Sequence, residues 1–91
     1  MKIHEAIGEE TWCKQAYALD KNGNERDVDD PSACKWCAKG WIIKTYPDHR
    51  MAKYNEIMRI VGYPDEELPW WNDMPDRTFE EVKEAFRKAD L

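Results

Sequence analysis

Thr78 stands three residues before Glu81, and around that pair Phe79, Val82, Phe86 and Ala89 fall on one helical face. The Thr hydroxyl and the Glu carboxylate can each accept the other residue's backbone N–H, so this capping box fixes where a helix begins. Its apolar face then demands a second surface to cover it. A chain containing such a helix folds around a core, and the remaining sequence has to supply the other side of that core.

With 91 residues, one domain spanning 1–91 is expected. A domain of this size buries a modest share of its unfolded surface. Five Trp, four Tyr and two Phe offset that, since a buried aromatic removes roughly 150–250 Å² from water. Hydrophobic residues make up 42% and charged residues 36%, with both signs interspersed, the balance of a soluble globular chain.

Ile3, Ala6 and Ile7 predict a short helix before Gly8. The stretch EETWCKQAYA, with Trp12, Ala16 and Tyr17, reads as a second one. LDKNGNERDVDD carries Asn-Gly in a polar run and predicts a surface loop or loose hairpin. Asp30-Pro31 has the form of a helix start, and Ala33, Trp36, Cys37, Gly40 and Trp41 follow at helical spacing until TYPD. Asp48 is the expected cap of the next helix, which carries Met51, Tyr54, Met58 and Val61 to a stop at Gly62 and Pro64. YPDEELPWWNDMPDR has three prolines and no helical period, so it reads as a connection. The expected fold is all-α: a small bundle of three to five short helices, with a long Pro/Trp-rich connection before the last.

Net charge is −5 and the isoelectric point is near 5.0. An acidic chain repels phosphate backbones and anionic membrane, so neither nucleic acid nor membrane is the expected partner. MKIHEAIGEE lacks the apolar core of a secretory signal. Three cysteines make a poor disulfide framework. The default expectation is a cytoplasmic protein with reduced thiols.

Cys34-Lys35-Trp36-Cys37 has the spacing of half a zinc site. Zinc wants four ligands, and Cys13, His4 and His49 form no second matching pair. Placed inside a helix, the two cysteines also lack the turn of a zinc knuckle and the helix-start position of a redox pair. A buried thiol at Cys37 is the preferred reading. A zinc- or thiol-dependent protein using Cys34 and Cys37, with Cys13 and His49 as further ligands, is the alternative. The loop from Asp20 offers oxygens at positions one, three and five, but Glu25 and Pro31 stand where a calcium loop needs Gly and Glu. Ser32 is the chain's one serine and sits in no nucleophile elbow; no phosphate or dinucleotide loop is present. No cofactor is expected.

LPWWNDMPDRT is specific for a connection. One of Trp70 and Trp71 is expected to plug the core, and the other to offer an aromatic contact to a partner. Trp70, Trp71, Asp73, Asp76 and Arg77 are therefore the candidate partner-binding residues.

Three stretches in order carry a resemblance: TWCKQAYALD, ACKWCAKGW and WWNDMPDRTFEEV. The chain resembles a family of small bacterial and phage proteins of unknown function over roughly residues 3–89. Trp12, Ala16, Ala18, Asp20, Trp36, Cys37, Gly40, Trp71, Asn72, Asp73, Arg77, Thr78, Glu81 and Val82 match its pattern. Trp41 and Ile42 depart from it, standing where a small residue and Leu are usual. That pattern holds one cysteine, at Cys37, so Cys34 and Cys13 look like local variations. The resemblance implies a helical domain in a phage or bacterial setting and transfers no active site.

The expected function is a small non-enzymatic module binding a host or bacterial protein, as a monomer or homodimer. An anti-defence inhibitor such as an anti-CRISPR protein is its sharpest form. An enzyme with a dispersed site at the W-N-D stretch, using Asp73 and Arg77, is the further alternative.

Overall fold

The computed structural model describes residues 1–62 and 67–91. Along it run α1 (Ile3–Ala6), a 3-10 turn (Glu9–Thr11), β1 (Ala18–Asp20), β2 (Ala33–Trp36), α2 (Ala38–Thr45), α3 (Arg50–Val61), α4 (Leu68–Asp73) and α5 (Phe79–Lys88). The all-α expectation is overturned: β1 and β2 form a two-stranded antiparallel sheet, and the described residues fold as a mixed helix–sheet chain. Ala18 pairs with Trp36 and Leu19 with Lys35. The register then slips, so that Asp20 faces Ala33.

Two of the expected helices are corrected by this sheet. EETWCKQAYA makes one 3-10 turn, then an irregular stretch with Gln15 at φ 67°, then β1. Its apolar positions fit either form, and tertiary hydrogen bonds decide. Cys13 N–H donates to the Trp36 carbonyl at 3.2 Å, and the Cys13 carbonyl accepts from Asn72 Nδ2 at 3.0 Å. The helix expected from Asp30-Pro31 is β2 instead. Asp30 uses its carboxylate on Ser32 N–H, two residues on, at 2.8 Å, which builds an Asx turn rather than a helix cap. Helix α2 starts seven residues later, with Cys37 as its N-cap and the Cys37 Sγ accepting from Gly40 N–H at 3.4 Å.

The long connection is corrected as well. Leu68–Asp73 is helix α4, begun after Glu67 with Pro69 in its first turn, where a missing N–H costs nothing. Six residues are too few to show a helical period. Helix α3 has His49 rather than Asp48 at its N-cap position, with no side-chain cap bond. Its buried side chain is Ile57, half-buried Tyr54, Met58 and Val61 flank it, and Met51 stands 71% exposed. Gly62 ends α3 at φ 73°, as expected of a left-handed stop. Pro64 lies outside the described residues. Helix α5 keeps its box: Glu81 N–H donates to the Thr78 hydroxyl at 3.2 Å, and Thr78 N–H to the Glu81 carboxylate at 2.9 Å.

Ile3, Trp41, Ile42, Ile57, Leu68, Trp71, Val82, Phe86 and Leu91 meet in the core, so every helix contributes to it. Gly40 is where α2 lies against the chain entering β1. A β-carbon there would sit 2.2 Å from the Tyr17 carbonyl oxygen, so no larger residue fits without parting the two.

Candidate binding groove

The centre of the arrangement is Asn72, fully buried on α4. Its Oδ1 accepts from the Trp12 indole at 2.7 Å and from Ala38 N–H at 3.0 Å. Its Nδ2 donates to the Cys13 carbonyl and to Asp73 Oδ1, both at 3.0 Å. All four hydrogen-bonding positions of the amide are used. One side chain thereby joins the irregular segment after Trp12, the start of α2, and α4.

Asp73 and Lys14 continue the seam. Asp73 Oδ1 also accepts Gln15 N–H at 2.8 Å, and Lys14 Nζ donates to the Met74 carbonyl at 2.8 Å. Gln15 holds a left-handed backbone that a side chain disfavours, and the Asp73 bond helps hold it there. Arg77 closes the far side. Its guanidinium lies 4.1 Å from the centre of the Trp71 ring, and its Nε donates to the Trp71 carbonyl at 3.0 Å. Its Nη1 reaches Glu81 at 3.0 Å and its Nη2 the Met74 sulfur at 3.2 Å.

Beside this seam, between α4 and the hairpin loop, lies an open groove of about 620 Å³. Glu25, Asp27, Asp30 and Asp73 line it, with Arg26 as the cationic side chain among them. Arg26 is turned to Asp20, which it meets at 2.9 Å. Asp20 itself is buried and accepts Asn24 and Asn22 N–H groups at 3.0 and 2.8 Å. The Asn24 N–H above all, then those of Asn22 and Arg26, hold its carboxyl below the usual carboxylate range. The first oxygen of the calcium-like pattern is thus spent on the loop's own backbone. Ser32 lowers Asp30 in the same way, through its hydroxyl first and then its N–H.

The expected partner-binding residues separate in the structure. Trp71 is 5% exposed and belongs to the core, while Trp70 is 51% exposed. Asp73 faces the groove, Asp76 is exposed, and Arg77 braces Trp71. Pro69 shares the groove face of α4 with Asp73, one turn away, and Trp70 stands next to Pro69 in that helix. Gln15, Tyr17, Glu25, Asp27 and Asp30 were missed as groove residues by sequence reasoning. Their one signal was the density of acids in the hairpin loop, which alone says nothing of a concave surface.

The cysteines also separate. Cys34 lies half-buried on β2, Cys37 is buried at the start of α2, and Cys13 is buried beside Trp12. Burial pushes the Cys13 thiol up to about 12, with a smaller contribution from Cys37. Burial also raises Cys37, against the lowering effect of the Gly40 N–H. His4 is half-buried in α1 and His49 is exposed at the start of α3. Among the described residues, no three His, Cys, Asp or Glu side chains stand together so as to hold a metal ion. No helix among them is long and apolar enough to cross a membrane.

Fold and site define a small helix–sheet domain locked by buried Asn72 between Trp12 and Asp73, with an acidic groove at its side. The chain belongs to the family described as "Family of unknown function (DUF6197)", whose match covers residues 2–90. No curated protein and no solved structure matches it.

Proposed function

We propose that the protein is a small non-enzymatic binding module whose groove receives a basic segment of another protein. The observation that carries this is the groove itself. Among the described residues, four carboxylates line it, Arg26 is the one cationic side chain and is paired with buried Asp20, and half-exposed Trp70 and Tyr17 stand at or beside it. Acidic walls attract Lys and Arg, and Trp and Tyr supply the flat apolar contact on which protein interfaces concentrate affinity. The commitment of Asn72 and Arg77 to internal bonds supports a structural rather than catalytic role for the W-N-D stretch.

The setting proposed is bacterial cytoplasm, with the protein acting as a monomer or homodimer. A phage or mobile-element factor that modulates a host protein, as an anti-CRISPR inhibitor does, is the sharpest form of this reading, and small size, acidic charge and surplus tryptophan are what support it. The test is affinity capture with cross-linking from bacterial lysate, using the wild type and a Glu25→Gln/Asp27→Asn/Trp70→Ala variant side by side. The expected result is a protein cross-linked at the groove, lost with the variant and weakened by salt. Capture of nothing, or capture indifferent to the variant, overturns the reading.

A further inference from the structure

The cysteine spacing that catches the eye is not the one the fold uses. From Cys34 to Cys37 the backbone is extended, with Cys34 in β2 and Cys37 at φ −73°, ψ 177°. Three extended residues span about 9–10 Å, beyond the roughly 7 Å across which two cysteines can join. Cys37 has a different neighbour. Trp12 and Trp36 form an isolated parallel bridge, and Cys13 and Cys37 follow directly on from it, with the Asn72 amide spanning the Cys13 carbonyl and the Ala38 N–H just beyond. The hydrogen bond from Cys13 N–H to the Trp36 carbonyl, 3.2 Å, fastens that register. Paired parallel strands lie about 4.8 Å apart with register partners on the same side. That falls within the Cα separation of about 4.4–6.8 Å found in disulfides.

The geometry points to Cys13 and Cys37 as a latent disulfide pair that closes under the groove in exchange with a small-molecule disulfide. A thiolate of the pair attacks one sulfur of that disulfide, expels one small thiol and leaves a mixed disulfide on the protein. The second protein thiolate attacks the protein-side sulfur and expels the second small thiol. Two protein S–H bonds and one small-molecule S–S bond become one protein S–S bond and two small-molecule S–H bonds, and two electrons pass to the small disulfide. Both thiols are buried and disfavour the thiolate, so the exchange is slow and quickens with rising pH. The bond would fasten the segment carrying Gln15 to the start of α2. Cys37 and Gln15 both line the groove, so oxidation stiffens the groove from beneath.

The experiment incubates the folded, reduced protein with excess oxidised glutathione across a pH series, quenches with acid, and then alkylates the remaining thiols in denaturant. Intact mass and peptide mapping follow. The expected product is lighter by two hydrogens before alkylation, takes up one alkyl group in place of three, and maps as a Cys13–Cys37 link. Cys34→Ser leaves the link intact, whereas Cys13→Ser and, independently, Cys37→Ser abolish it; circular dichroism identifies any variant that fails to fold. The oxidised wild type melts at a higher temperature than the reduced one. A link through Cys34, or glutathione lodged on Cys34 with Cys13 and Cys37 still alkylatable, overturns the inference.

Discussion

Asn72 accepts the indole proton of Trp12 at 2.7 Å across sixty residues of chain. Trp12 precedes the sheet and Asn72 lies in the helix before last, so this bond ties the N-terminal part of the chain to its C-terminal part. Removing Asn72 would strand three groups at once: the Trp12 indole N–H, the Ala38 N–H and the Cys13 carbonyl. Each buried polar group left without a partner costs about 1–3 kcal/mol. Asn72→Ala is therefore expected to lose about 3–5 kcal/mol in urea denaturation, and Trp12→Phe, which removes one donor, about 1–2 kcal/mol. A loss below about 1 kcal/mol for Asn72→Ala would show that the amide does not hold the corner together.

Gly40 gives a test of a different kind. In an ordinary helix, replacing Gly by Ala gains about 1 kcal/mol. Here the added carbon would meet the Tyr17 carbonyl at 2.2 Å, and Tyr17 also accepts Cys37 N–H at 3.2 Å. The backbone has to part, and overpacking of this sort costs about 1–3 kcal/mol. Gly40→Ala is expected to lower the melting temperature, and a rise would mean that α2 does not rest on the strand entry.

These two positions show what the sequence could and could not declare. The last helix was legible because its signals are local: a capping box and an apolar face between Thr78 and Ala89. Gly62 was legible for the same reason. The sheet was not. Trp36 and Cys37 satisfy a helical period as well as a strand edge, and what selects the strand is pairing with Ala18–Asp20 and Trp12. Partners more than a dozen residues away leave no mark on the local pattern. The groove was invisible for a related reason. Asp73 and the hairpin acids Glu25, Asp27 and Asp30 are far apart in sequence, and folding alone puts them around one space.

Acid should weaken the hairpin loop through Asp20. The carboxyl of Asp20 titrates below its ordinary value because it is held by Asn24, Asn22 and Arg26. A group lowered on folding adds stability that is fully present above its unfolded pKa, about 3.9 for Asp. That stability is lost as pH falls through the folded value. Thus the Asp20 contribution is level from neutrality down to about pH 4 and falls away beneath it. Asp20→Asn is expected to be less stable than wild type at neutral pH, with the gap narrowing below about pH 4. Urea titrations across the acid range measure this, and a gap that stays constant there would remove Asp20 as the titrating group.

Trp70 and Trp71 are neighbours in sequence with opposite duties, and substituting each in turn separates folding from recognition. Trp71 is 5% exposed, packed in the core and covered by Arg77. Trp71→Ala is expected to cost about 3–5 kcal/mol, the range for emptying a buried aromatic site. Trp70 is 51% exposed, and Trp70→Ala should change stability by under about 1 kcal/mol. If the groove face of α4 is where a partner docks, the same substitution should weaken capture by tenfold or more, since an aromatic anchor commonly carries about 1.4 kcal/mol or more of binding. The two readouts are thermal melting and partner affinity, taken on both variants. Trp70→Ala with full affinity would move the contact surface away from α4. Trp70→Ala that unfolds the protein would place this tryptophan among the residues that hold the fold.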